Sequence, residues 1–270
     1  RHGLERPLDP FGPTLMNWFQ LHEYLGLPPD VSTHGAEIDV MMGLVHWLMI
    51  VLFVIWAPYF LYTLYRFRAS NNPSASYEGS QSEWSSWVEG GVVLAEAVLL
   101  VGFAIPIWSD LKQEFPDQEA AIEVRVIAQQ FSWNVHYPGP DGIFGTRDTA
   151  LVDPQTNPIG LDRSEPAARD DIVTTDELHL ETDRPAIIRL SSLDVIHSFF
   201  LPQMRVKQDA IPGLTIPVWV EPTETGEYEL ACAQLCGLGH YRMNGYVTVH
   251  PAGEFDGWVQ KTTPDTTAAM

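Results

Sequence analysis

Residues 232–243 read Cys232-Ala233-Gln234-Leu235-Cys236-Gly237-Leu238-Gly239-His240-Tyr241-Arg242-Met243. Both cysteines of the chain lie here, with a histidine and a methionine at the spacing Cys-x3-Cys-x3-His-x2-Met. Thiolate, imidazole and thioether form a soft donor set, which favours copper over magnesium, calcium or manganese. A single blue copper takes one thiolate, two imidazoles and a weak axial thioether. Two thiolates instead allow two copper ions to share the sulfurs, and such a pair needs a second imidazole. His197 is the candidate, about 35 residues upstream in the strand-like run Asp194-Val195-Ile196-His197-Ser198-Phe199-Phe200. Two other readings stay open on these residues alone. One is a Cys232–Cys236 disulfide, which an exported domain permits. The other is a Cys2His2 zinc site, which leaves Met243 without a role.

The chain has 270 residues and a formal net charge of −20, which speaks against a nucleic-acid partner. From Asp110 onward 25 acidic residues stand against 11 basic ones. Such a surface attracts basic partners and repels acidic ones, or is simply solvated. The chain has no Cys-x-x-Cys-His haem-attachment motif, so a haem donor belongs to another chain or segment. Arg1 in first place fits the removal of a signal peptide.

Working back from the cysteine loop, residues 110–261 consist of short β-rich runs separated by turns, at 121–130, 171–180, 186–190, 214–220, 226–231 and 246–250. Ile122-Glu123-Val124-Arg125-Val126 alternates with period two, as half-buried strands do. Many short strands argue for a sandwich or barrel. Residues 138–170 are rich in Pro, Gly and Asp and read as a long surface loop, and residues 262–270 as a tail.

The N-terminal part differs. Residues 40–65 hold no Asp, Glu, Lys or Arg and are long enough to cross a bilayer, with Pro58 tolerated inside the helix. Arg66 and Arg68 follow, which puts the Ser/Asn/Gly-rich loop 66–87 on the cytoplasmic side. Residues 88–109 form a second span ending near Trp108, with Glu96 inside it and Glu89 at its edge. A carboxylate at membrane depth is costly, so both should face protein or water. Residues 1–39 form a Pro-containing segment on the outer side, in which 15–25 suits a short amphipathic helix. His22 and His34 read as ordinary polar residues, and His46, inside the first span, as facing a partner helix rather than a metal.

The cysteine loop resembles the binuclear copper (CuA) loop of cytochrome c oxidase subunit II, in the haem–copper oxidase family. Residues 194–200 and the run Lys207-Gln208-Asp209-Ala210-Ile211-Pro212-Gly213 match at the same order and spacing, and the likeness spans roughly residues 40–260. The resemblance implies a membrane-anchored chain, a two-helix transmembrane hairpin followed by an all-β cupredoxin-like barrel. It implies the bacterial inner membrane, with the copper domain on the periplasmic side.

The resemblance also assigns the site. Cys232 and Cys236 would bridge two copper ions. His197 and Met243 would complete one, and His240 with the backbone carbonyl of Gln234 the other. Gln234 stands where relatives usually carry a glutamate that helps hold magnesium at the border with the catalytic subunit, so a magnesium contact with Asp209 and Gln234 is in question. Phe131 aligns with the tryptophan that takes electrons from cytochrome c, and Trp133 matches a later aromatic residue. Glu89 falls where relatives have a glutamate at the mouth of a proton path, with Glu83 and Glu96 as competitors. The implied partners are subunit I, other oxidase subunits, membrane lipid, and cytochrome c or a linked haem domain as donor. The implied work is electron transfer to haem in subunit I, for oxygen reduction coupled to proton pumping. Three rivals share the pattern. A quinol oxidase subunit would have lost the copper ligands, a nitric oxide reductase subunit would carry the same loop, and a membrane-anchored copper carrier would bind one ion.

Overall fold

The computed structural model describes residues 26–74, 77–78 and 82–264. The expected amphipathic helix at 15–25 lies outside these residues. The described chain divides into two compact units, which are treated separately.

The first unit carries two apolar helical spans. Helix α1 runs over Gly35–Arg66 and includes Pro58. At 32 residues it is about 48 Å long, more than the roughly 30 Å hydrocarbon core of a bilayer requires. It outruns the uncharged stretch at both ends because polar residues continue it. Glu37 in the first turn and Arg66 in the last both complement the helix dipole. Helix α2, Trp84–Leu99, passes through a π-helical turn, Leu100–Ala104, into α3, Ile105–Gln113. Pro106 has no N–H for the carbonyl four residues back, and the chain widens to a π turn just before it. Together these elements make a second span, Trp84–Gln113, which like α1 is long and apolar enough to cross a membrane.

The second unit is a two-layer β-domain. Its strands are β1 (Ile122–Gln129), β2 (Ser132–Tyr137), β3 (Ile172–Thr175), β4 (Glu177–Glu181) and β5 (Ala186–Ser192). They continue with β6 (His197–Leu201), β7 (Val206–Ala210), β8 (Ile216–Val220), β9 (Gly226–Cys232) and β10 (Asn244–His250). One sheet has the order β3-β2-β1-β5-β8 and the other β4-β10-β9-β6-β7. Pairs β1–β5 and β4–β10 are parallel, and the remaining ladders are antiparallel. The core lies between the sheets. Val124, Val126 and Ala128 of β1 meet Leu178, Phe199, Leu230 and Val247 of the facing sheet in one buried cluster. This is the all-β, cupredoxin-like architecture expected from the sequence.

Three features depart from the sequence reading. The run 171–180 is two strands, β3 and β4, broken at Asp176, which adopts a left-handed φ of 59°. The Asp176 carboxylate accepts the Trp133 N–H at 2.7 Å, which fixes the break. Strands β2 and β7 had no apolar run to announce them. The insertion 138–170 is an ordered cover on the first sheet rather than a bare loop. Ile159, Leu161 and Ala168 bury Ile127 on that sheet's outer face. His136 Nε2 and Asp171 Oδ2, both fully buried, meet at 2.6 Å beneath it.

The segment Pro28–Ala36 belongs to this second unit, ahead of the first span in sequence. Val31 is buried, its N–H donating to Gln203 O at 2.8 Å and its carbonyl accepting from Thr223 N at 2.9 Å. The Thr33 N–H donates to Glu221 O at 3.1 Å. His34 is buried edge-on against Trp219, so it is a packing residue and not a solvated one. Beyond β10 the chain forms helix α4, Phe255–Thr262, which ends where the expected tail begins, and residues 265–270 of that tail lie outside the described part.

Candidate metal centre

Strand pairing assembles the site. His197 opens β6 and Cys232 closes β9. The antiparallel pair Phe199↔Cys232 brings those two strand ends together. The loop between β9 and β10 is closed at its base, where the Cys232 N–H donates to Met243 O at 3.1 Å. The Ala233 N–H donates to Ser198 O at 2.9 Å, which ties the loop to β6. His240 begins a short 3-10 turn, His240–Arg242, which delivers Met243 to the mouth of β10.

The donor atoms converge. Cys232 Sγ lies 3.9 Å from Cys236 Sγ and 4.0 Å from His197 Nδ1. Cys236 Sγ is 3.7 Å from both His240 Nδ1 and Met243 Sδ. His197 Nδ1 is 3.1 Å from Met243 Sδ, and Gln234 O is 3.2 Å from Cys232 Sγ. His197, Cys236 and Met243 are buried. The sulfurs stand far beyond the bond length of about 2.05 Å that a disulfide requires, so that reading falls. Six donors also exceed the four of a structural zinc site. Two thiols, two imidazoles and a thioether fit a soft metal, and copper foremost.

Neighbouring groups prepare these ligands. Asp194 Oδ1 accepts from His197 Nε2 at 2.9 Å, which leaves the Nδ1 lone pair facing the sulfurs. Asp194 is itself held by the Gln130 N–H at 2.7 Å and the Val195 N–H at 2.6 Å. Burial would raise the Asp194 carboxyl, but these hydrogen bonds outweigh it and leave it below the ordinary carboxylate range. Burial likewise opposes charge on His197, yet Cys232 and Asp194 raise it above an ordinary histidine. At Cys232 burial is outweighed by contacts with His197 and with the backbone at Ser198 and Gln234, which pull its thiol down to about 6. Burial, and then the Cys232 charge, push Cys236 up to about 11. The metal-free pair thus favours one thiolate, and metal binding must displace the remaining proton.

The first β-sheet closes over the loop. Gln130 Nε2 donates to Cys236 O at 2.6 Å. The Phe131 ring lies on Gly239, where an added Cβ would stand 2.4 Å from Phe131 Cδ2, so only glycine permits this approach. Phe131 is half-buried, with the Arg242 guanidinium 5.9 Å from its ring centre. Trp133 is wholly buried, edge-on to His197 at 6.1 Å and to Phe199 at 5.7 Å. Of the two expected electron-uptake aromatics, only Phe131 reaches the surface, because Trp133 points from β2 into the core.

Residues 122–249, from β1 into β10, match the family profile described as cytochrome c oxidase subunit II, periplasmic domain. An alternative cytochrome c oxidase subunit 2 of Bradyrhizobium diazoefficiens is 31% identical over 234 residues, covering 86% of this chain and 82% of that protein. The chain belongs to the cytochrome c oxidase subunit II family. A subunit 2 from Cereibacter sphaeroides is 26% identical over 250 residues, covering 87% of this chain and 79% of the relative. The crystal structure of the periplasmic domain of a Bradyrhizobium japonicum subunit II is 26% identical, with a TM-score of 0.40, covering 55% of this chain and 96% of that one. The family and the two apolar spans together fit a membrane-anchored protein.

The other expected site residues are not among the six donors. Asp209 pairs with Ser198 across β6 and β7, and Ser198 O holds the Ala233 N–H, so the ladder links Asp209 to the corner next to Gln234. Glu89 and Glu96 are seven residues apart in α2 and share a helix face, while Glu83 precedes the helix. Sequence reading passed over Asp194, Gln130 and Gly239 as parts of the site. Asp194, three residues before His197, was the visible signal.

Proposed function

We propose that this chain is the electron-accepting subunit of a terminal cytochrome c oxidase. Cys232, Cys236, His197, His240, Met243 and the Gln234 carbonyl would hold two copper ions. Two coppers sharing both sulfurs would supply a one-electron acceptor that changes geometry little between redox states. The chain's own residues do the rest. Asp194 holds the His197 tautomer, Phe131 and Trp133 keep water from the loop, and the strands fix the donors against relaxation. Electrons would arrive from cytochrome c or a linked haem domain near Phe131. They would leave for haem in subunit I, where oxygen is reduced and protons are pumped. Glu89 would take protons in from the cytoplasmic side, and Asp209 with Gln234 would border a magnesium ion between subunits. The domain would lie in the periplasm, with both spans in the inner membrane.

The observation that carries this reading is the convergence of six soft or carbonyl donors on two cysteines within one strand-anchored loop. Rapid mixing of the oxidised, intact complex with reduced cytochrome c tests it. Donor oxidation should precede haem reduction in subunit I, and Phe131→Ala should slow that first phase. Haem reduction at an unchanged rate in a Cys236→Ser complex would overturn the reading.

A further inference from the structure

His179 and His250 form a histidine pair outside the cysteine loop. His179 lies in the middle of edge strand β4, and its backbone pairs with Thr248 of β10, two residues before His250. His179 Nδ1 and His250 Nε2 are 3.0 Å apart, with the rings near parallel at 21°. Trp258 of α4 stacks on His179, centroids 4.1 Å apart, and meets Tyr137 edge-on at 5.1 Å. The Tyr137 hydroxyl accepts from the His179 N–H at 2.6 Å and donates to the His179 carbonyl at 3.1 Å, so the histidine's backbone cannot drift.

We propose that the His179–His250 pair is a proton-operated latch that holds helix α4 on the β-domain and releases it in acid. A nitrogen-to-nitrogen contact is a hydrogen bond only when one atom carries the proton and the other a lone pair. The neutral pair satisfies this, and so does a pair with one added proton. With two added protons, two N–H groups and two positive charges face each other across the same gap, and the rings must part. Trp258 then loses the platform on which it stacks.

The surroundings set the range. Glu177 Oε2 is 4.0 Å from His179 Nε2 and favours a charge there. Glu181 is engaged by Arg184 and by the Gly253 and Phe255 N–H groups, which anchor the turn into α4. Arg184 also pairs with Asp256 of α4. Glu254 and Glu181 favour a charge on His250, while burial, the larger effect, lowers it. Burial and then the His250 charge hold His179 at about 4. Glu227 of β9 pairs with Thr248 from the other side, and Lys261 occupies the last turn of α4. A released histidine titrates near 6.5, above the docked value. The released form therefore binds more protons, and docking is lost as pH falls from about 6.5 towards 4. The second proton, which the docked pair cannot hold, contributes up to about tenfold per pH unit in that window.

Hydrogen exchange on the full chain in detergent tests the latch, with rates corrected for the intrinsic pH dependence and β1 as internal reference. Between pH 7 and 4.5, protection of the α4 amides should fall at least tenfold more than that of β1. His250→Gln should flatten the difference. Protection of α4 that stays constant, or that falls only in step with β1, would overturn the proposal. The wild-type comparison alone decides this if the variant fails to fold.

Discussion

Asp194→Ala probes how the β-domain prepares its metal ligands. The carboxylate accepts from His197 Nε2 at 2.9 Å, and it also receives the Gln130 and Val195 N–H groups. Removing it frees the imidazole to swap tautomers and to rotate, so Nδ1 no longer faces the sulfurs by default. Loss of such an outer partner typically costs about 10–100-fold in metal affinity, or about 1.4–2.8 kcal/mol. The fold should lose less, about 0.5–1.5 kcal/mol, because the Gln130 amide lies at the surface where water can replace the carboxylate. Copper affinity is read by competition with a chelator of known strength, and the site's symmetry by paramagnetic resonance. Asp194→Asn should keep the acceptor geometry and retain most of the affinity. If Asp194→Ala binds copper as tightly as wild type with an unaltered spectrum, the orienting role is wrong.

Three further outcomes follow from the geometry. Gly239→Ala should force the Phe131 ring off the loop, since three ring atoms lie within 2.7 Å of the added carbon, destabilising the domain by about 1–3 kcal/mol in denaturant melts. Burial holds His34 down to about 4, against the opposing hydrogen bond to the Met204 backbone. The stability it gives is therefore complete above about pH 6.5 and lost as pH falls towards 4, by up to about 3 kcal/mol. His34→Gln should flatten that part of the stability profile, and an unchanged slope would show that other groups set it. Glu89→Ala should slow turnover of the complex while leaving the copper signal intact, and normal turnover would exclude Glu89 from proton uptake.

How much of this was legible in the sequence varies with the physics behind each part. The spans were plain, because an uncharged stretch such as 40–65 has few other stable settings. The candidate metal loop stood out because two thiols, an imidazole and a thioether at fixed offsets have few other uses. Strand β7 was missed because Val-Lys-Gln-Asp-Ala carries almost no apolar signal and is fixed by its ladder to β6. The segment that carries Val31 and His34 reads in sequence only as a Pro-containing outer-side stretch. Its partners, Gln203, Glu221 and Thr223, lie about 170–190 residues away in sequence, and no local pattern announces contacts of that range. Trp133 and Phe131 are two residues apart, yet one is buried within β2 and the other half-buried in the turn before it, a distinction that only the strand boundary supplies.

The account rests most directly on two metals sharing two sulfurs. Electron paramagnetic resonance with copper quantification on the intact chain, loaded and oxidised, tests this. Two coppers per chain and one unpaired electron spread equally over both nuclei is the predicted result. One copper with a localised signal, or no stable copper at all, would contradict it.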